Sequence, residues 1–252
     1  PGFTITTDAC VYFMKHGKHP PGLIKQTNKA IHKIELFMKQ KFGDNHNPLL
    51  FSVRSGARQS MPGMMETVLN VGLNSESVVG LQKQTKNSNF AYDSYRRLIM
   101  MYADVVMEKG DPTIKNLNIR IQLEKILEKI KQKNKCLSDN ELNQSNLIEI
   151  CNLFKKKIEQ KLKKPFPEQP KEQLWNSIES VFKSWNGKRA VNYRKIENIP
   201  NNWGTAVNVQ CMVFGNKGKR SATGVVFTRN PSTGENVFFG EWLINAQGED
   251  VV

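Results

Sequence analysis

The segment from Leu50 to Asn74, LFSVRSGARQSMPGMMETVLNVGLN, limits the folding choices of this chain more than any other stretch. The apolar run Leu49 to Val53 reads as a short strand that delivers Arg54 into a loop. That loop carries Arg54, Arg58, Gly56, Gly63, Pro62 and the hydroxyls of Ser55 and Ser60. On its far side, Met64 to Leu73 reads as an apolar helix or helical turn that Gly72 helps to end. Glycines let backbone N–H groups come close to an anion, and a helix start adds the positive end of its dipole. Arginine supplies a permanent charge with a planar fork of donors that matches phosphate oxygens. The pattern points to a loop that folds against polyphosphate.

At 252 residues the chain has room for one large domain or two smaller ones. An apolar content of 38% and a mean hydropathy of -0.51 indicate a soluble globular protein. No run approaches ~18 consecutive apolar residues, so no membrane helix is expected. The chain opens on Pro1-Gly2-Phe3 and closes on Asp250-Val251-Val252 within an apolar run, and both ends read as cuts through a longer polypeptide. Cys10, Cys136, Cys151 and Cys211 are scattered, with no CxxC pair and no His at ligand spacing. They read as the reduced thiols of a cytoplasmic protein rather than as disulfides or a zinc site. His16, His19, His32 and His46 fall in surface-like sequence, and no metal is expected on them. A net charge of +14 raises nucleic acid as a partner. The excess, however, lies mostly between Lys109 and Lys195, in lysine-rich helical sequence without regularly interleaved aromatics. A solvated basic face explains it better than a nucleic-acid patch.

Along the chain, Thr4 to Thr7 reads as a strand, with Asp8 as the cap of a first helix over Ala9 to His16. Leu23 to Phe42 has helical spacing, and Asn74 to about Lys164 reads as helical almost throughout. Within that part, Phe90 to Met107 holds an aromatic and aliphatic stripe. Asn116 to Lys133 and Leu142 to Leu162 form basic amphipathic helices, joined by a turn in which Ser138 and Glu141 read as a capping box. The cluster Pro165, Pro167 and Pro170 marks a boundary, and Lys171 to Trp185 resumes helical spacing. From Trp203 the signals turn to strands: Ala206 to Phe214, Gly224 to Thr228 and Asn236 to Asn245. This order gives an α+β or α/β architecture in several lobes.

Arg54 is the first candidate for a phosphate contact, against the competing reading that it caps a strand end or pairs with a carboxylate. Arg58 divides between solvent and ligand. Met61, Met64 and Met65 read either as core or, for Met65, as the wall of an adenine pocket. Of Arg96 and Arg97, one must face the Tyr92 and Tyr95 stripe, held there by an ion pair or by a ligand. The strand end Gln210-Cys211-Met212-Val213 is a candidate adenine hinge, with main-chain groups reading the purine edge and Met212 on its face. Glu241, Asn245, Gln247, Glu249 and Asp250 form a polar run able to reach a ribose hydroxyl or a Mg²⁺-bound water, or to satisfy a structural network. The turn Gly215 to Ser221 has the wrong spacing for a Walker A loop, and no Rossmann fingerprint follows a strand.

Several long words carry a resemblance: PGFTITT, FSVRSGARQSMPGMMETVLNVGLN, FAYDSYRRLIMMYADVVM, FPEQPKEQLWNSIESVFKSWN, IPNNWGTAVNVQCMVFGNKG, TGVVFTRNPSTGE and GEWLINAQGEDVV. Together they cover nearly the whole chain, and they resemble the N-terminal nucleotide-binding domain of the pyruvate, phosphate dikinase family. The lysine-rich Met107 to Lys164 stretch departs most from the family pattern. The SMPGMM word and the NPSTGE–INAQGED pair favour the phosphate-using family over pyruvate, water dikinase or glucan, water dikinase. A basic nucleic-acid-binding module is the alternative from another class.

The resemblance implies an ATP-grasp fold of two lobes. Residues 1–73 and 168–213 would build the first lobe, 74–167 a helical insertion, and 214–252 the start of the second lobe. It implies conversion of ATP, phosphate and pyruvate to AMP, pyrophosphate and phosphoenolpyruvate, through a histidine on another domain of the same polypeptide. A pyruvate-binding barrel and a homodimeric, cytoplasmic or organellar enzyme belong to the same expectation. Arg54 matches the arginine of the family's VRS word and Arg97 the second arginine of YRR. Met65, Thr67, Gln210, Met212, Val213, Glu241, Gln247 and Glu249 are the remaining expected nucleotide contacts. A Gly-Gly-Lys segment is expected before Pro1 and the Mg²⁺ ligands beyond Val252, so the 252 residues alone are expected to be inactive.

Overall fold

The strand Phe51–Gly56, whose first three residues are all buried, sets the centre of the molecule. Phe51 and Val53 are fully buried, whereas Arg54 between the core and the loop is exposed. A strand sends successive side chains to opposite faces, so Phe51 and Val53 join the core while the other face opens from Arg54 onward. Burying a valine of this kind contributes about 1.5–3 kcal/mol. The computed structural model describes residues 1–114 and 117–251, with Glu249 described by its backbone alone.

In chain order the elements begin with β1 (Gly2–Ile5), α1 (Thr7–His16), α2 (Leu23–Met38), the short β2 (Lys41–Phe42) and β3 (Pro48–Leu49), β4 (Phe51–Gly56) and β5 (Thr67–Val71). The helices α3 (Ser77–Thr85), α4 (Ser88–Tyr102), α5 (Ile119–Lys133), α6 (Gln144–Leu162), α7 (Pro170–Ser184) and α8 (Lys188–Ile196) follow. Strands β6 (Ala206–Cys211), β7 (Ala222–Phe227) and β8 (Phe239–Ile244) come last. The main sheet has the order β1-β6-β4-β5, with every neighbour antiparallel. Mixed helices and antiparallel sheets place the chain in the α+β class. No helix among the described residues is long and apolar enough to cross a membrane.

Helices α7 and α1 cover the apolar face of that sheet. Leu174, Ile178, Val181 and Phe182 of α7 repeat at helical spacing and are buried, and the rings of Phe182 and Phe13 lie 5.6 Å apart. A second layer comes from α4, α5 and α6, whose buried stripes (Leu98, Ile99 and Tyr102; Leu123 and Leu127; Ile150, Phe154 and Ile158) share the same core. Between α4 and α5 the chain makes a π-helical turn, Ala103–Glu108. There the Glu108 carboxylate accepts the Asn118 and Ile119 N–H groups at 2.7 Å each, capping an α5 that lacks a cap from its own preceding residue.

Several sequence expectations need correction. The segment after the loop is not a helix: Thr67–Val71 is strand β5, paired with β4, with Val68 and Val71 fully buried. Asn70 takes a left-handed φ of 61° beside an irregularity in that pairing, and its amide donates to the Ser94 carbonyl at 3.2 Å. No helix dipole therefore reaches the loop from this side. Asp8 sits in the first turn of α1, and the capping position is Thr6, without a side-chain bond. Ser138 and Glu141 hydrogen-bond each other at 3.1 Å around a single 3₁₀ turn, while the reciprocal capping box belongs to Asn143 and Asn146 of α6. Helix α8 has no counterpart in the sequence reading.

Candidate functional site

The open face of the main sheet is polar. Register places Thr4, Asn208, Arg54 and Thr67 in one row across β1, β6, β4 and β5. Directly opposed residues in a sheet share a face and lie within side-chain reach. Thr4 Oγ1 donates to Asn208 Oδ1 at 2.7 Å, and the Arg54 guanidinium donates to Gln210 Oε1. Gln210 lies two residues from Asn208 along β6, hence on the same face. Arg54 forms no ion pair with a carboxylate among the described residues; its partner is a neutral amide. The guanidinium charge is therefore positioned without being neutralised.

The loop after β4 rests on a small core of its own. Met61 is 7% exposed and packs with Trp185, Ala190 and Ile199, with Met64 and Met65 at the edge of the same cluster. Gly63 supplies a left-handed turn at φ +69°. Arg58 lies over the Trp203 ring at 5.5 Å, so that it is directed to an aromatic face. Beneath the cluster, Arg194 is 2% exposed, stacks on Trp185 at 4.0 Å from the ring centre and donates from Nε to Asn201 Oδ1 at 3.0 Å. Its guanidinium also donates to the Trp185 carbonyl. The methionines thus anchor the loop. Met65 in addition borders a groove of about 660 Å³ together with Thr67, Met101, Lys109 and Arg120.

Arg97 borders the adjoining groove, which shares Met101 and Arg120 with the first. Asp93 holds its Nε at 2.8 Å, and Asp250 holds the two terminal nitrogens at 3.0 and 3.4 Å. Arg96 is bound by Asp93 and Asp139. Both arginines are therefore held by carboxylates, where the sequence reading required only one to be fixed. Burial alone would raise the Asp93 carboxyl, but the charges and hydrogen bonds of Arg96 and Arg97 outweigh it and hold it below the usual carboxylate range.

The expected purine hinge is an irregular strand end. The Cys211 N–H donates to the Pro1 carbonyl and the Met212 N–H to the Leu50 carbonyl, both at 2.9 Å. Met212 also packs against the main core, and Val213 beyond it is 88% exposed. Glu241 lies opposite Val225 in the β7–β8 hairpin and is exposed. Gln247 is 4% exposed, starts the turn before Asp250 and donates its N–H to Asp250 Oδ2 at 2.8 Å. The side chain of Glu249 lies outside the described residues. The hairpin meets the helical layer through the Phe214 ring on Phe90 at 5.0 Å, Asn87 on the Lys217 carbonyl at 3.1 Å, and the Arg97–Asp250 pair.

Arg54, Thr67 and Gln210 thus stand together, as do Arg97 and Asp250, with Met65 between the loop and the groove. Sequence reading missed Asp93, Lys109 and Arg120 as groove residues, although the i,i+4 spacing of Asp93 and Arg97 was a usable signal. Among the described residues no three His, Cys, Asp or Glu side chains gather as a metal site. The thiols are free, and burial pushes Cys10 and Cys211 up and Cys151 up to about 12, so these three are not poised as nucleophiles.

Comparison with known proteins bears on this arrangement. The sequence profile described as "Pyruvate phosphate dikinase, AMP/ATP-binding domain" matches residues 21–252. Pyruvate, phosphate dikinase of Clostridium symbiosum is 50% identical over 253 residues, covering 100% of this chain and 28% of that protein. The enzyme of Rhizobium meliloti (strain 1021) is 49% identical with 27% covered, and that of Entamoeba histolytica 48% with 28% covered; each alignment spans 100% of this chain. The chain therefore spans little more than a quarter of the length of these relatives. With nearly all of its length matched, the chain belongs to the AMP/ATP-binding domain family of the pyruvate phosphate dikinases.

Proposed function

We propose that this chain binds ATP for a pyruvate, phosphate dikinase reaction. In that reaction the β-phosphoryl group passes through a histidine to pyruvate and the γ-phosphoryl group to phosphate. The products are phosphoenolpyruvate, AMP and pyrophosphate. The observation that carries this reading is Arg54, a guanidinium fixed on the open sheet face by Gln210 and left without a carboxylate partner among the described residues. Charge-assisted bonds from such a group to phosphate oxygens are worth about 1.5–3 kcal/mol each. Phosphoryl transfer needs position and charge neutralisation more than covalent chemistry from the protein.

In this reading residues 1–73 and 168–213 form the first lobe of an ATP-grasp domain, 74–167 a helical insertion, and 214–252 the opening of the second lobe. The β1-β6-β4-β5 sheet, which draws strands from both parts of the first lobe, supports that division. Arg54, Thr67 and Gln210 face the phosphates, with Arg97 recruited from the adjoining groove. Because the Met212 N–H is engaged by Leu50, Val213 supplies the main-chain contact to the purine edge. Met65 flanks the base, and Glu241, Gln247 and Glu249 serve the ribose side. Among the described residues no three His, Cys, Asp or Glu side chains gather as a site for Mg²⁺. The histidine and pyruvate domains, and a homodimeric assembly, belong to the rest of the same proposal.

Arg54→Leu tests it. In the protein, ATP-dependent phosphorylation of the histidine should slow by about 100-fold while transfer from phosphohistidine to pyruvate is spared. Equal loss in both half-reactions would refute the assignment.

A further inference from the structure

Two neighbouring rows on the open face of the main sheet differ in bulk. In one, Arg54 stands directly opposite Asn208; in the next, Gly56 stands opposite Ala206. Residues two apart on a strand share a face, so both pairs lie on the open side. Past Arg54 and Asn208 the surface therefore drops to bare backbone and one methyl group. The result is a hollow with a guanidinium and an amide at its edge. Thr205, fully buried, fixes its floor: the hydroxyl accepts the Gly56 N–H at 3.3 Å and donates to the Ala206 carbonyl at 2.9 Å.

Gly56 does not have a positive φ, so its missing side chain serves space rather than backbone conformation. A Cβ there would stand 2.7 Å from Asn208 Nδ2. The amide nitrogen thus lies against the Gly56 backbone, at the rim of the hollow. The other end of the amide is tied, because Asn208 Oδ1 accepts the Thr4 hydroxyl at 2.7 Å. An amide whose oxygen is held in this way presents its two N–H groups on the far side. Asn208 is half-buried, and neither N–H finds an acceptor among the described residues. The row Thr4, Asn208, Arg54 and Thr67 carries one positive charge and no carboxylate. Donors without acceptors beside an uncancelled guanidinium favour a compact oxyanion, and a hollow free of side chains admits one.

We propose, on the footing of the nucleotide reading above, that Asn208 is a further phosphate-binding residue. Its Nδ2 donates to an oxygen of the phosphate group held by Arg54, and Gly56 and Ala206 leave the room for that group. Thr4 is a positioning residue, which turns the amide so that its donors face the hollow.

Equilibrium ATP titration of the protein tests this, with the melting temperature followed in each variant. Asn208→Ala should weaken ATP about tenfold, the loss of one hydrogen bond to a charged group. Gly56→Ala should do the same by pushing the amide aside, and the double variant should bind no worse than either single one. Thr4→Val should weaken ATP about threefold and Thr4→Ser should restore it, which a packing role for the threonine methyl would not do. Arg54→Leu is the control for the nucleotide reading. If Arg54→Leu weakens ATP and Asn208→Ala does not, the role of Asn208 falls and the nucleotide reading stands. If neither changes ATP binding, both fall together. Additive losses from Gly56→Ala and Asn208→Ala would likewise overturn the contact assigned to the amide.

Discussion

Asp250→Asn examines how a phosphate reaches Arg97. In the structure Asp250 Oδ1 and Oδ2 occupy both terminal nitrogens of Arg97 at 3.0 and 3.4 Å, and Asp93 occupies Nε. A phosphate that uses the terminal nitrogens must displace Asp250. At an effective dielectric near 20, two unit charges ~4 Å apart attract by about 4 kcal/mol before solvent competition. The Asp250 side chain is 33% exposed and the Arg97 side chain 15%, so water returns most of that. A net value of about 1 kcal/mol is appropriate for such a pair. Neutralising Asp250 should therefore tighten ATP binding about fivefold. Asparagine retains an oxygen to receive the Gln247 N–H, so the local turn survives. Equilibrium ATP titration of both proteins at low and high salt is the assay, and the difference should shrink at high salt as the pair is screened. Unchanged or weaker ATP binding in the variant would refute the competition between carboxylate and phosphate.

Two further outcomes follow from the buried charge and the cap. The folded Asp93 carboxyl titrates below its unfolded value, so its contribution to stability is complete above the ordinary carboxylate pKa of about 3.9 and drains away as pH falls through the depressed value. Urea unfolding across pH 2 to 6 should show this acid slope, and Asp93→Asn should flatten it. Glu108→Gln should cost about 1–2 kcal/mol and raise amide exchange selectively in the first turn of α5, because the carboxylate there receives two N–H groups.

The sequence made legible what local pattern controls. Phe51 and Val53 alternate with Ser52 and Arg54, and the strand they announce is there; the stripes of α4, α6 and α7 likewise follow their 3.6-residue spacing. Strand β5 escaped because Met64 to Leu73 is a short, mostly apolar run in which strand and helix spacing compete. Its choice is made by hydrogen bonds to β4, a tertiary matter. Helix α8 escaped because its buried positions are Ala190 and the charged Arg194, which no hydrophobic pattern marks. The partners of the site were hidden by distance along the chain. Arg54 and Gln210 are 156 residues apart and Arg97 and Asp250 are 153 apart, so no window of sequence holds both. The charge on Arg54 was readable; that it would be steadied by an amide rather than cancelled by an acid was not.

The placement of β6 between β1 and β4 has a consequence for synthesis. Strands β1 and β4 leave the ribosome well before β6, yet neither pairs with the other, and the strand that bridges them ends at Cys211. Helices α3 to α6, which pack on one another and all precede β6, have what they need to assemble well before then. The nascent polypeptide thus carries two strands awaiting their common neighbour, beside helices already formed, until the whole stretch between Gly56 and Ala206 has been made. The row that holds Arg54 between Asn208 and Thr67 comes into being only with that last insertion, so the anion-facing surface is among the final features of the domain to mature.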